Sequence, residues 1–226
     1  MLEPDFDLRD FANVTRLFPL PGVVMFPHVV LPLHIFEPRY RQMTEHALAS
    51  DRLITIVQIS PATKGQTWTE PVPIESVGCL GKIIQYERLP EGRFNFLLLG
   101  LKRVRLLEEI PTKNLYRSAR VEILEDEPPS ISPQQTRSEL VQLFREVFTT
   151  RQELDPEFAD LMDKEIPLGV LTDLVAHALS LPSELKQWLL GQTSVDQRCQ
   201  TILAVLRQVA QSEQSRKPFP PPFSVN

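Results

Sequence analysis

Histidine, cysteine and a glycine-flanked lysine are the residue types in this chain best suited to chemistry, and their spacing argues against each reaction they could support. The four histidines, His28, His34, His46 and His177, include no HExxH and no pair four residues apart, the arrangement that puts two imidazoles on one zinc ion. If the chain is extended there, His28 and His34 share a face but stand about 20 Å apart. Gly78-Cys79-Leu80-Gly81-Lys82 has the residue types of a phosphate loop. Two residues separate its glycines where a Walker A loop needs about four, and Ile83 stands where Ser or Thr would reach magnesium. Those glycines read better as a strand bulge. Cys79 as a nucleophile lacks a base to lower its pKa. Cys79 and Cys199 are too far apart in sequence for zinc spacing and too few for a disulfide framework, so both are expected in the core. No GxSxG elbow occurs. The chain is therefore expected to be no enzyme and to hold no metal and no cofactor.

Composition narrows the remaining classes. A chain of 226 residues with 42% apolar and 23% charged residues has enough apolar material for a substantial core. A net charge of −5 argues against broad binding to nucleic acid or anionic membranes. The start, MLEPDFDLRDF, is acidic and has no apolar core, so no secretory signal is expected. No uninterrupted apolar run reaches about 18 residues, so no membrane helix is expected and a cytoplasmic location follows.

The organising stretch is Leu17 to Tyr40, apolar and broken by Pro19, Pro21, Pro27, Pro32 and Pro38. Proline cannot donate to a strand ladder, so the stretch predicts short, irregular buried strands. Pro38 suits the first position of a helix, and Tyr40, Met43, Ala47 and Leu48 line one face of it. Leu53 to Ile59 is a β-branched buried strand. Val77 to Glu87 and Arg93 to Leu101 flank Leu89-Pro90-Glu91-Gly92, a hairpin turn with Gly92 at positive φ. Lys102 to Leu107 and Tyr116 to Leu124 alternate as half-wet strands.

After Glu125-Asp126-Glu127-Pro128-Pro129 the hydrophobic period changes from 2 to 3.6. Ser132 to Gln135 and Ser194 to Gln197 form capping boxes. Leu140, Leu143, Phe144, Val147 and Phe148 line one helix. Val170, Leu171, Leu174, Val175, Ala178 and Leu179 line a second, Leu185, Trp188 and Leu189 a third, and Cys199, Ile202, Leu203, Leu206, Val209 and Ala210 a fourth. The expected organisation is a loose arm over residues 1–13, a β-rich domain over 14–126, a linker at 127–131, a helical bundle over 132–214 and a proline-rich tail at 215–226. That tail, with Pro218-Phe219-Pro220-Pro221-Pro222, is expected to be polyproline II or disordered.

The strands from Arg93 to Arg120 also carry Lys102, Arg103, Arg105 and Arg117. They read as a solvated face, with a nucleic-acid stripe as the alternative. Phe94 and Phe96 share a strand face that is either core or an exposed apolar groove, with core favoured.

FPLPGVVMFPHVVLPLHIFEPRYRQM resembles the opening of the Lon protease N-terminal, substrate-binding, domain family. VGCLGKIIQYERLPEGRFNFLLLGLKRVRL resembles the strands and hairpin of that family. ALSLPSELKQWLLGQTSVDQRCQTILAVLR resembles its closing segment, with Leu179, Lys186, Gln187, Leu189, Leu190 and Arg198 at matching places. The likeness runs over residues 14 to 212, with neither a Walker A loop nor a Ser–Lys protease motif in the chain. It implies an α+β protein, a PUA-like pseudo-barrel followed by a helical bundle, standing alone without the ATPase and protease domains. It also implies a non-catalytic module that binds unfolded or degron-bearing polypeptide, as an adaptor for a protease or chaperone partner. Phe26, Trp68, Phe94 and Phe96 are the expected peptide contacts. The runner-up function is nucleic-acid binding by a PUA-like fold, with Arg103 and Arg105 as its cations.

Overall fold

The computed structural model describes residues 8, 11–60, 71–130, 133–151, 162 and 164–214. The expected arm, Trp68, the first capping serine at position 132 and the proline-rich tail fall outside those residues, except Leu8 and 11–13 of the arm. The chain is α+β and divides into two compact units, Met1–Asp126 with Ala176–Thr193, and Glu127–Val175 with Ser194–Asn226.

The first unit is a six-stranded sheet. Its strands are β1 (Val14–Leu20), β2 (Val30–Ile35), β3 (Leu53–Gln58), β4 (Val77–Arg88), β5 (Phe94–Ile110) and β6 (Ser118–Leu124). They run in the order β2-β5-β4-β3-β1-β6, and β5 also pairs with β6. Five strands thus close into a ring, with β2 added outside on the N-terminal part of β5. Among these six strands only β1 and β3 pair in parallel, Leu17 opposite Thr55, and the crossover between them carries β2 and helix α1 (Pro38–Leu48). Leu17, Leu53, Val57, Leu80, Val104, Ala119 and Val121 pack together in the core of this unit.

The proline-broken stretch forms two short strands and an irregular buried passage between them. Met25 and Phe26 of that passage are buried. His28 takes a positive φ of 65°, and its N–H donates to Gly100 O (2.8 Å) while the Gly100 N–H donates to Val29 O (2.8 Å). Pro38 does begin α1, and Tyr40, Met43 and Ala47 are buried along its face. Thr44 joins them because its hydroxyl donates to Tyr40 O (2.8 Å) one turn back, so no polar group is stranded.

The turn after β4 takes positive φ at both Glu91 (61°) and Gly92 (70°). Register shifts interrupt the β4–β5 ladder twice. Opposite Leu80 and Gly81 the extra residue is Leu101 of β5, so the bulge expected at the glycines of β4 falls on the partner strand. Between Ile83 and Gln85 the extra residue is Ile84 of β4. The stretches expected as separate strands on either side of Leu101 are one 17-residue strand, β5. Irregular pairing lets a single long strand serve β2 and β4 at one end and β6 at the other.

Helix α4 (Ser183–Gly191), expected in the helical half, lies in the unit of the sheet and packs on β4. The Gln187 side-chain amide donates to Val77 O (2.8 Å), and Arg103 Nε donates to Leu190 O (3.0 Å) at the end of the helix. A buried cation at a helix C-terminus satisfies an orphan carbonyl and opposes the negative end of the dipole.

The second unit contains α2 (Pro133–Arg151), most of α3 (Leu168–Ala178) and α5 (Val195–Gln214). Helices α2 and α5 pack together, and Leu140, Phe144 and Val147 are buried on the face the spacing predicts. The Gln197 N–H donates to Ser194 Oγ (3.4 Å), capping α5 where the sequence placed a cap. Arg198 and Asp173, each 1% exposed, form a buried ion pair in this unit.

Candidate functional site

The feature that stands out in the first unit is where its sheet loses cover. The β3–β4 ladder ends with Leu53 opposite Lys82, and beyond it Ile84 to Arg88 are all exposed. This free end of β4 pairs with the N-terminal part of β5, which pairs in turn with β2. Three strands therefore extend past the closed ring.

Strand alternation sorts their side chains. Ile35, Phe94, Phe96 and Leu98 are buried. On the opposite side lie Val30, Leu99 and Lys82 in one row, Pro32, Leu97 and Gln85 in the next, and His34, Asn95 and Glu87 in the third. The first two rows are apolar on β2 and β5 with one polar residue each on β4, and the third is polar throughout. His34 Nδ1 donates to Asn95 Oδ1 (2.7 Å), which holds that cross-strand pair. The His34 ring also stacks near Phe36, which is 61% exposed. The register shift at Ile83/Gln85 leaves Ile84 without a partner on β5, and Ile84, Tyr86 and Val30 are exposed large apolar side chains. A cavity of about 430 Å³ lies here, bordered by Pro32, His34, Tyr86, Glu87, Asn95 and Leu97. Such a surface offers apolar contact, an aromatic ring and a carboxylate within a few residues.

A second cavity, of about 420 Å³, lies between β1, α1 and the segment before β6. Its polar groups are already engaged. Tyr116 Oη lies 2.8 Å from His46 Nδ1 and accepts from Asn114 Nδ2 (3.2 Å), and Arg117 Nη1 donates to Val72 O (2.7 Å).

The expected peptide contacts are placed differently from one another. Phe26 and Phe94 are fully buried and offer no surface, because both fill the core. Phe96 borders the 430 Å³ cavity but is only 3% exposed. Trp68 lies outside the described residues. Ile84, Tyr86, Phe36 and Val30 were not among the contacts expected from the sequence. Tyr86 pairs with Phe96, so periodicity assigns both to one face; it is exposed because β3 stops before reaching it.

The groups considered for other chemistry are occupied. Cys79 and Cys199 are both buried. Burial pushes the Cys199 thiol up to about 12, against the pull of the neighbouring Arg198 and with Asp196 and Asp173 adding to the rise. It is therefore a protonated core residue at neutral pH. The strand cations proposed for nucleic acid are paired across the sheet: Lys102 with Glu125 (2.8 Å), Arg105 with Glu122 (3.1 Å), Arg120 with Glu108 (3.1 Å), and Arg117 with Glu109. Arg103 is 3% exposed and lies 3.3 Å from Asp126. These residues make a neutralised sheet surface and a structural anchor, a poor match for a phosphate backbone. Among the described residues no helix is long and apolar enough to cross a membrane.

A Lon protease of Heliobacterium modesticaldum is 30% identical over 200 residues, and one of Bacillus thuringiensis is 27% identical over 198. These alignments take 88% and 86% of this chain but only 24% of each relative, so the chain spans about a quarter of those proteins. Among solved structures, the N-terminal domain of the Mycobacterium avium complex Lon protease matches with a TM-score of 0.66 at 18% identity, covering 88% of this chain and 98% of that one. The Lon N-terminal domain protein of Xanthomonas campestris matches with a TM-score of 0.63 at 19% identity, covering 84% and 97%. The model of the ATP-dependent protease La (LON) substrate-binding domain matches residues 14–208, and the chain belongs to that family.

Proposed function

We propose that this chain recognises polypeptide, taking extended apolar segments on the face built by β2, the start of β5 and the free end of β4. The carrying observation is the run Ile84 to Arg88, exposed throughout, beside an apolar surface that includes Val30, Pro32 and Leu97. Apolar rows would supply most of the affinity, and the His34–Asn95–Glu87 row would supply selectivity. Family membership supports the substrate class. Phe94 and Phe96 contribute as the core on which these strands rest. In this reading the chain serves in the cytoplasm as an adaptor that presents unfolded or degron-bearing polypeptide to a protease or chaperone.

Binding of reduced, carboxymethylated lactalbumin, a permanently unfolded probe, tests the proposal. Fluorescence anisotropy is expected to show saturable binding, weakened about tenfold or more by Val30→Asp combined with His34→Ala. Both side chains are exposed on that face, so the variant should keep the wild-type circular dichroism. Equal binding by wild type and variant would remove the site.

A further inference from the structure

We propose that the free edge of β4, Ile84 to Arg88, is a strand-addition site for an antiparallel polypeptide segment. The segment carries a β-branched or aromatic residue opposite Tyr86 and Lys or Arg opposite Glu87. The proposal rests on the polypeptide-binding reading and names the edge, the binding mode and the sequence class.

Three observations carry it. The first is a hydrogen-bonding edge left open. β3 covers β4 only as far as Lys82, and the Ile83 N–H is taken by Arg52 O (2.9 Å). Beyond Ile83, among the described residues, β4 pairs only with β5. In an antiparallel ladder alternate residues turn their N–H and C=O away from the partner strand, so this edge presents unpaired backbone groups to solvent.

The second is composition. Ile84 to Arg88 contain no proline or glycine, and all five are exposed. The other edge of the same three strands belongs to β2, where Pro32 stands mid-strand. Proline has no N–H to give and is a common guard against strand addition. The guarded edge and the open edge thus lie on opposite sides of one small sheet, which selects β4 as the receiving strand.

The third is side-chain chemistry along the edge. Gln85 and Glu87 lie on the outer face, and Tyr86 lies on the other. Glu87 forms no ion pair among the described residues, so a cation directly across from it would be its first partner. Cross-strand pairs of aromatic with β-branched residues, and of opposite charges, are favourable. Backbone pairing supplies affinity with little demand on sequence, and these two positions set the register.

The test uses the whole chain and the fluorescently labelled peptide acetyl-Ser-Thr-Lys-Val-Thr-Val-Ser-amide, with backbone N-methyl groups placed one residue at a time. Methylation at alternate residues is expected to weaken binding about tenfold or more, and methylation at the residues between them by less than about twofold. Glu87→Lys should weaken the lysine peptide about threefold or more, and replacing that lysine with glutamate should restore binding to the variant. If carboxymethylated lactalbumin binds but the N-methyl series shows no alternation, the edge proposal fails and recognition by the face stands. If neither probe binds, both fail. A concentration-dependent dimer that excludes the peptide would make a second copy the occupant and would also overturn the proposal.

Discussion

Asp173→Ala is expected to destabilise the helical unit by about 3–5 kcal/mol. Asp173 on α3 and Arg198 on α5 are buried together, with Arg198 Nε 3.6 Å from Asp173 Oδ1 and 3.4 Å from Thr172 Oγ1. Thr172 in turn donates to Gly169 O (2.7 Å), so its hydroxyl is fixed as an acceptor for the guanidinium. Removing the carboxylate takes away a charge that helps offset the desolvation of the buried Arg198 guanidinium. A loss of that size is a large share of the about 5–15 kcal/mol typical of a domain. Urea unfolding followed by far-ultraviolet circular dichroism measures it. The double variant Asp173→Leu/Arg198→Met removes both charges and is expected to recover most of the loss, because well-packed apolar residues often equal a buried pair. A single variant that unfolds with the wild-type midpoint would contradict this account of the unit.

Gly100→Ala is expected to cost about 3 kcal/mol, the upper end of the usual overpacking penalty. A Cβ at this position would lie 2.2 Å from Phe26 O and 3.1 Å from Cys79 Sγ. The carbonyl cannot easily retreat. Its neighbours His28 and Val29 are tied to Gly100 by two backbone hydrogen bonds of 2.8 Å, and Phe26 itself is buried. The same glycine therefore lets the proline-broken passage lie against β5, next to the strands that carry the proposed site. Gly191→Ala is the matched control. A Cβ there meets nothing within 4 Å, so the change should be neutral or slightly stabilising. Thermal unfolding of the two variants side by side gives the comparison, and equal midpoints would show that the close approach carries no cost.

Features of the fold controlled by neighbours in sequence were legible before the structure. Pro38 starts α1, Leu89 to Gly92 turn the hairpin, Ser194 caps α5, and Leu140, Phe144 and Val147 face inward, each for a reason found within about one turn or one hairpin. The site was less legible. Alternation pairs Phe94 with Phe96 and favours core for both, which the structure bears out, so neither is the exposed contact that the resemblance implied. Exposure of Tyr86 depends on β3 ending opposite Lys82, which no pattern in β4 records. Neutralisation of Arg105 and Arg120 depends on which acidic residues fall opposite them, a matter of register between strands. Arg103 meets Leu190 from 87 positions away. Each miss is a long-range pairing, and local propensity is silent about those.

Hydrogen–deuterium exchange in the presence of carboxymethylated lactalbumin tests the central claim most directly, because it reports where polypeptide lands without altering a residue. Amides of Ile84 to Arg88 have no β3 partner in the free chain and should exchange quickly on their outward-facing side. The account predicts that bound polypeptide slows exchange at alternate residues of this run, with smaller effects at 95–97 and 30–34. Protection confined to the cavity beside Tyr40 and Tyr116, with Ile84 to Arg88 unchanged, would contradict it.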